Sequence, residues 1–314
     1  SNFSMKDFKN FINENLKKGS IDVNIMTKVN KTNYLKKEKQ PMEYNDALAA
    51  LRGFAKSDLK SSVILSAGIN PALYSYIQNF DDFYPDEHGN FNKKIVLKVS
   101  DFRSALIQGK FLAKKGLWVS EYRIESGVNC GGHAFASEGK LLGTILEEYK
   151  TRKDELSETI YDIFVKALEA KGRPVPNKTL NLRITAQGGV GNAEEHNFLL
   201  NYYGVDSVGW GSPFLLVPEA TTVDKSTLKQ LSEAKEKDLY LSNISPLGVP
   251  FNSLRGNTQD VKKDAKIAGG RPGSRCTKNY AAINNTEFTK RDICTASRQY
   301  QYLKIKELDS KNMT

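Results

Sequence analysis

No stretch of the 314 residues approaches the roughly 18 consecutive apolar positions that a membrane-spanning helix needs. The opening segment, 1–20, intersperses Lys, Asn and Phe without an apolar core, so no secretory leader is expected. Cysteine is scarce. Cys130, Cys276 and Cys294 are an odd number without a CxxC pair, which excludes a disulfide scaffold and makes a reducing compartment, the cytoplasm, the default. Histidine is as rare, with only His88, His133 and His196, and with so few ligand-type side chains no metal site is expected. There is neither a solenoid-type repeat nor a low-complexity segment.

What the chain does have is enough apolar material for a core, 39% hydrophobic against 26% charged residues. The net charge is +10, from 46 Lys and Arg against 36 Asp and Glu. Its lysines are scattered through stretches such as Leu35 to Lys39 and Lys225 to Lys237, with acids between them. That pattern reads as a solvated surface, so no nucleic-acid partner is expected. A membrane partner is not expected either.

Short runs rich in β-branched residues recur along the chain. They are Ile21 to Met26, Ser62 to Gly68, Lys94 to Ser100, Gly116 to Ile124, Asn181 to Gln187 and Val205 to Gly209. Most are nearly apolar throughout or end in Gly, Ser or Asn, as strands buried on both faces do. Helical spacing fills the intervals: Ser104 to Lys115 behind Asp101 as N-cap, Leu141 to Ala170, and Ala193 to Tyr203. Strand, helix, strand argues for an α/β protein with parallel βαβ units, either a (β/α)8 barrel or a doubly wound sheet. Beyond Asn257 the periodicity fades around Gly269-Gly-Arg-Pro-Gly-Ser274. Residues 258–314 read as an irregular C-terminal extension closed by a short helix near Tyr300 to Leu308.

Two glycine clusters, Gln187-Gly-Gly-Val-Gly-Asn192 and Val208-Gly-Trp-Gly-Ser-Pro-Phe214, each follow a predicted strand, and a helix starts directly after the first. Glycine lets the backbone approach a ligand, and the N–H groups at a helix start hold phosphate. Tight turns would also use glycine, but paired clusters on consecutive strand ends favour phosphate, as in the late loops of barrels. No Lys-Ser or Lys-Thr completes a P-loop, and Gly-Gly-Val-Gly is not a dinucleotide fingerprint.

Glu125-Ser-Gly-Val-Asn-Cys-Gly-Gly-His133 ends the fourth predicted strand. His133 there is placed either to abstract a ligand's proton or to bond local backbone. Cys130 beside it reads as a structural thiol, since no activating partner is identifiable. Lys98 interrupts the apolar strand Ile95 to Val99 and needs an acceptor, which a flavin, a phosphate or a buried carboxylate would equally supply. Asn24 is a similar polar intrusion, whereas Lys28 and Arg123 read equally well as solvated strand-end residues.

Cys130-Gly-Gly-His133, Ile184-Thr-Ala-Gln-Gly-Gly-Val190 and Val208-Gly-Trp-Gly-Ser-Pro-Phe-Leu215 with Glu219-Ala220 together resemble the nitronate monooxygenase (2-nitropropane dioxygenase) family. Ser245-Pro-Leu-Gly-Val-Pro-Phe251 and Leu254-Arg255 resemble the segment that follows the barrel there. The similarity runs, with gaps, from Asp22 to Asn257. It implies a (β/α)8 TIM barrel over 1–257 that holds FMN, with the phosphate on Gly188, Gly189, Gly211 and Ser212. Asn24 and Lys98 match positions that touch the flavin ring, and His133 matches the family's base. The six predicted strands match the third to eighth of that barrel, so its first two have no counterpart. The implied activity is oxidation of a nitronate-like or other carbon acid, a small-molecule substrate, with O2 as acceptor. Flavin-dependent enoyl reductases are relatives of the family, and a non-catalytic phospholigand-binding barrel is the other alternative. A homodimer is compatible with either.

Overall fold

The structure is a computed structural model. It describes residues 4–15, 19–27, 30–66, 68–126, 129–130, 133–134, 140–188, 190–211, 214, 217, 223–242, 251–273, 284–295 and 297–311, with backbone only at 129, 130, 133, 134, 251, 252 and 284. The protein is α/β, built on a six-stranded sheet. Its strands are β1 (Val23–Met26), β2 (Ser62–Ser66), β3 (Lys94–Val99), β4 (Val119–Ile124), β5 (Arg183–Gln187) and β6 (Ser207–Gly209). Each falls inside one of the six runs expected from sequence. Spatial order follows chain order from β1 to β6 without reversal, and the β1–β2, β2–β3 and β5–β6 ladders are parallel. Among the described residues β1 and β6 are the sheet's two edges, so neither closure into a barrel nor eight strands is seen.

The helices are α1 (Met5–Asn15), α2 (Asp46–Ala55), α3 (Pro71–Ile77), α4 (Phe102–Ala113), α5 (Leu142–Ala170), α6 (Ala193–Tyr203), α7 (Lys225–Glu233), α8 (Thr258–Ala268) and α9 (Arg298–Ser310). Side-chain caps start most of them: Asn70, Asp101, Asn192, Asp224, Asn257 and Ser297 each accept a backbone N–H of the first turn. No described helix is long and apolar enough to cross a membrane.

The chain divides into two units, 1–123 with 152–184 and 124–151 with 185–314. In the first unit, Ile25, Val63, Leu65, Ile95, Leu97 and Val99 are all buried. The register of β1 to β3 places them on one face of the sheet. Helix α2 buries Ala47, Leu48, Leu51, Phe54 and Ala55, one stripe at helical spacing. Beneath the end of α2, the fully buried Lys93 donates from Nζ to the carbonyls of Ser57 (2.9 Å) and Leu59 (2.6 Å). Those bonds satisfy a charge that would otherwise be costly to bury.

In the second unit α6 ends at Gly204, whose φ of 64° is the left-handed geometry glycine tolerates at a helix stop. The C-terminal region holds the expected closing helix, α9, and a second one, α8, where irregular chain was expected. The capping side chain of Asn257 and the acid Asp260 at the third helical position explain α8, an N-terminal signature that the apolar spacing alone does not reveal.

Candidate functional site

The glycine turns lie in the second unit. Gly188 follows β5 with φ 83°, a conformation that side chains with a Cβ rarely adopt, and a Cβ there would touch nothing within 4 Å. Its N–H donates to the Gly209 carbonyl at 3.4 Å, so the ends of β5 and β6 are tied together. Gly211, exposed just beyond β6, also has open space where a Cβ would stand. The two turns are therefore brought together, and the glycine at 188 is required by backbone geometry. Gly189 and Ser212 lie outside the described residues.

Helix α6 starts directly after the first turn, and its own side chains already engage the start. Asn192 Oδ1 accepts the Glu195 N–H at 2.8 Å, and Glu195 Oε2 accepts the Gly191 N–H at 2.6 Å. A carboxylate thus occupies the electropositive helix start where a phosphate was expected. An incoming phosphate must displace the Glu195 side chain, which is exposed and flexibly attached.

A contact that pattern reading missed joins the same two turns. Trp210, between Gly209 and Gly211, donates its indole N–H to Nδ1 of His196 at 2.8 Å, with the ring centroids 5.7 Å apart. The bond makes Nδ1 the acceptor and leaves the proton of neutral His196 on Nε2. The only sequence signal was an aromatic residue inside a glycine turn.

His133 follows β4 in the same unit. The backbone of Asn129–Cys130 pairs antiparallel with that of His133–Ala134, with Cys130 opposite His133. The side chains of Cys130 and His133 lie outside the described residues.

Asn24 and Lys98 belong to the first unit. Asn24 pairs with Ile64, which pairs with Val96, and Lys98 lies two residues further along β3. Alternation therefore puts Asn24, Ser66 and Lys98 on one sheet face, toward the carboxyl ends of the strands. Asn24 is exposed and Lys98 half-buried. Ser66, nearly buried, donates from Oγ to Asn24 Oδ1 at 2.8 Å, which turns the amide nitrogen of Asn24 outward. Beside them Thr27 Oγ1 donates to the Ser66 carbonyl at 2.7 Å, and Asn70 Nδ2 donates to the Thr27 carbonyl at 3.2 Å. This polar network has its hydrogen bonds made before any ligand arrives.

Arg123 is no solvated strand end. Glu121, on β4, is buried and its carboxylate is held by Arg123 and, from the start of β5, by Arg183. Tyr122 between them points to α4, where a Cβ on Gly109 would overlap its hydroxyl. Glu121 and Arg123 therefore project from the opposite face of the strand. A further hollow of about 280 Å³ is lined by Ile69, Asp101, Arg103, Ser104, Ile107 and Gln108. Gln108 there is engaged by Ser104 Oγ and by the Tyr74 hydroxyl. Lys28 lies outside the described residues. Among the described residues no cluster of His, Cys, Asp and Glu could hold a metal ion.

No known protein family matches the chain, and no curated protein is significantly similar to it. Among solved structures it is similar to the enoyl reductase domain of MlnA from the macrolactin biosynthesis cluster of Bacillus amyloliquefaciens. The TM-score is 0.45 at 16% identity, over 93% of this chain. The chain spans 64% of the length of that structure. Similarity at this level assigns no activity.

Proposed function

We propose that the protein is an FMN-dependent oxidoreductase of nitronate monooxygenase type, built over 1–257 on a barrel-type parallel sheet. The observation that carries the reading is the pair of glycine turns tied by the Gly188 N–H and the Gly209 carbonyl, the first at φ 83°. The unreversed strand order supports a barrel-type sheet over a doubly wound one. The order of motifs along the chain, His133 after β4, Gly188 after β5 and Gly211 after β6, is that of the resembling family.

Among the described residues nothing lies within 4 Å of where a Cβ would stand at Gly188 or Gly211, which is room that a phosphate would use. Gly188, Gly189, Gly211 and Ser212 would hold it with Glu195 swung aside, and Asn24 and Lys98 are the ring contacts that the resemblance implies. When bound, FMN supplies a two-electron acceptor that O2 reoxidises. His133 takes the proton from the carbon acid at a ring nitrogen, a role suited to imidazole near neutral pH. Ser66 keeps the Asn24 amide oriented.

The test is an absorbance scan of the purified chain after incubation with FMN and gel filtration. Retained flavin bands are expected, with affinity reduced about five- to thirtyfold in Gly188→Ala, because the variant leaves the left-handed turn when free and must regain it on binding at roughly 1–2 kcal/mol. A colourless chain after FMN incubation overturns the reading. Oxygen uptake with an alkyl nitronate then identifies the reaction, whereas NAD(P)H oxidation that depends on an enoyl thioester would identify a reductase instead. Bound flavin with neither reaction would point to a phospholigand-binding protein.

A further inference from the structure

We infer that the surface hollow beside the first turns of α4 binds a short aliphatic carboxylate, with Arg103 and Ser104 on the carboxyl group and Ile69 and Ile107 on the chain. The hollow, of about 280 Å³, lies between Ile69, in the segment that follows β2, and α4, which begins just beyond β3. It therefore sits at the carboxyl ends of two parallel strands, where α/β folds gather their ligands. Drug-sized pockets run from roughly 300 to 1,000 Å³, so this one suits a short chain rather than a cofactor.

A chain of donors builds the polar end. Burial pushes the Tyr74 pKa up, so its phenol stays protonated. That hydroxyl donates to Gln108 Oε1 at 2.6 Å, and Gln108 Nε2 donates in turn to Ser104 Oγ at 2.8 Å. Tyr74 and Gln108 are both buried, so the direction of the chain is fixed from inside the fold. Ser104 Oγ thus already accepts a bond, and it has one proton of its own to give. Among the described residues that proton has no acceptor, and Ser104 stands half-buried on the wall of the hollow. Arg103 beside it is exposed and makes no hydrogen bond or ion pair among the described residues. The helix start itself is not the anion site, because Asp101 Oδ1 accepts the Ser104 N–H at 2.6 Å and is committed to capping. A carboxylate offers acceptors to a hydroxyl and a guanidinium at once.

The apolar end accounts for two exposed isoleucines. Ile69 and Ile107 come from separate segments, and both line the same hollow. Ile107 stands one turn along α4 from Arg103 and Ser104, so charge, hydroxyl and apolar wall share one side of the helix. An aliphatic tail laid there leaves water together with both side chains. The site lies within the first unit and needs no flavin, so it stands or falls separately from the proposed activity.

The test is saturation-transfer NMR on the full chain without added FMN, titrating hexanoate at constant ionic strength. Acetate, which lacks the chain, and hexan-1-ol, which lacks the charge, are the comparators. Hexanoate should bind saturably and at least about fivefold more tightly than either. Arg103→Gln should raise the half-saturating hexanoate concentration at least about fivefold and leave that of hexan-1-ol unchanged. Ile107→Ser should raise the hexanoate value at least about threefold and leave that of acetate unchanged. Both positions are exposed, so neither variant removes core packing. Hexanoate binding no tighter than acetate, or a half-saturation that responds to neither substitution, would overturn the proposal.

Discussion

Gly109, in the middle of α4, sets two effects of opposite sign against each other. Replacing a mid-helix glycine by alanine gains about 1 kcal/mol of helix propensity. Here the new Cβ would lie 2.5 Å from Ile160 Cδ1 and would overlap the Tyr122 hydroxyl. Both neighbours are fully buried, so neither can move aside cheaply, and overpacking costs roughly 1–3 kcal/mol. The clash should win, and Gly109→Ala should lower stability to urea. Tyr122 answers differently. Its hydroxyl is buried without a hydrogen-bond partner among the described residues, and burial pushes its pKa up, which keeps the phenol neutral. Removing an unsatisfied polar atom is favourable by about 1 kcal/mol. Tyr122→Phe is therefore expected to stabilise the protein, and the double variant to be less damaged than the two effects summed. Strict additivity in urea melts would show that the two side chains do not meet as described.

Helix α9 depends on charge more than on burial, since it has no fully buried residue. Glu307 accepts from Lys311 and, at 3.0 Å, from Lys304, while Glu287 accepts from Lys304 and from the Tyr300 hydroxyl, both at 2.7 Å. The bonds from Lys311 and then Lys304 hold the Glu307 carboxyl below its ordinary 4.5. Those from Lys304 and Tyr300 do the same for Glu287. A carboxyl whose folded-state pKa is depressed stabilises the fold above its ordinary value, and the contribution is lost as pH falls below 4.5 through the depressed one. Carboxyl-carbon NMR titration should find both midpoints under 4.5, and Lys304→Met should move both upward. Midpoints that do not respond would mean that Lys304 is not their partner.

The contrast between helices α1 and α8 and the sheet marks how far the sequence could be read. All six sheet strands lie within the expected runs. The inner strands, such as Ser62–Ser66 and Lys94–Val99, are buried on both faces and must be apolar, and such runs show without knowledge of partners. Helix α6 occupies Ala193–Tyr203 as expected, its start marked by Asn192 and its end by Gly204. Helices α1 and α8 bury nothing completely, so burial does not impose the apolar stripe that reveals a helix elsewhere. The glycine turns were legible because backbone geometry restricts the residue type at Gly188. Ser66 with Asn24, His196 with Trp210, and Glu121 with its two arginines were not, because each depends on a contact across strands or turns that local spacing does not encode.

The net charge of +10 is the remaining property that invites a macromolecular partner, and no nucleic-acid partner is expected from the scatter of the lysines among acids. Some of the basic side chains are matched at short range: Arg152 with Glu155, Lys229 with Glu233, Lys263 with Asp260 and Lys304 with Glu307, each three or four residues apart on a helix. Such pairs add only tenths of a kcal/mol each, but they cancel the local field that a phosphate backbone would meet. Binding to nucleic acid rises with the number of phosphates neutralised together, and its logarithm falls with that of salt at a slope set by this number. Fluorescence anisotropy with a labelled duplex should therefore show weak association at about 20 mM salt that is gone by about 150 mM, with a shallow slope. Binding that survives to about 300 mM would require a contiguous basic surface, because only several phosphate contacts made at once resist that concentration.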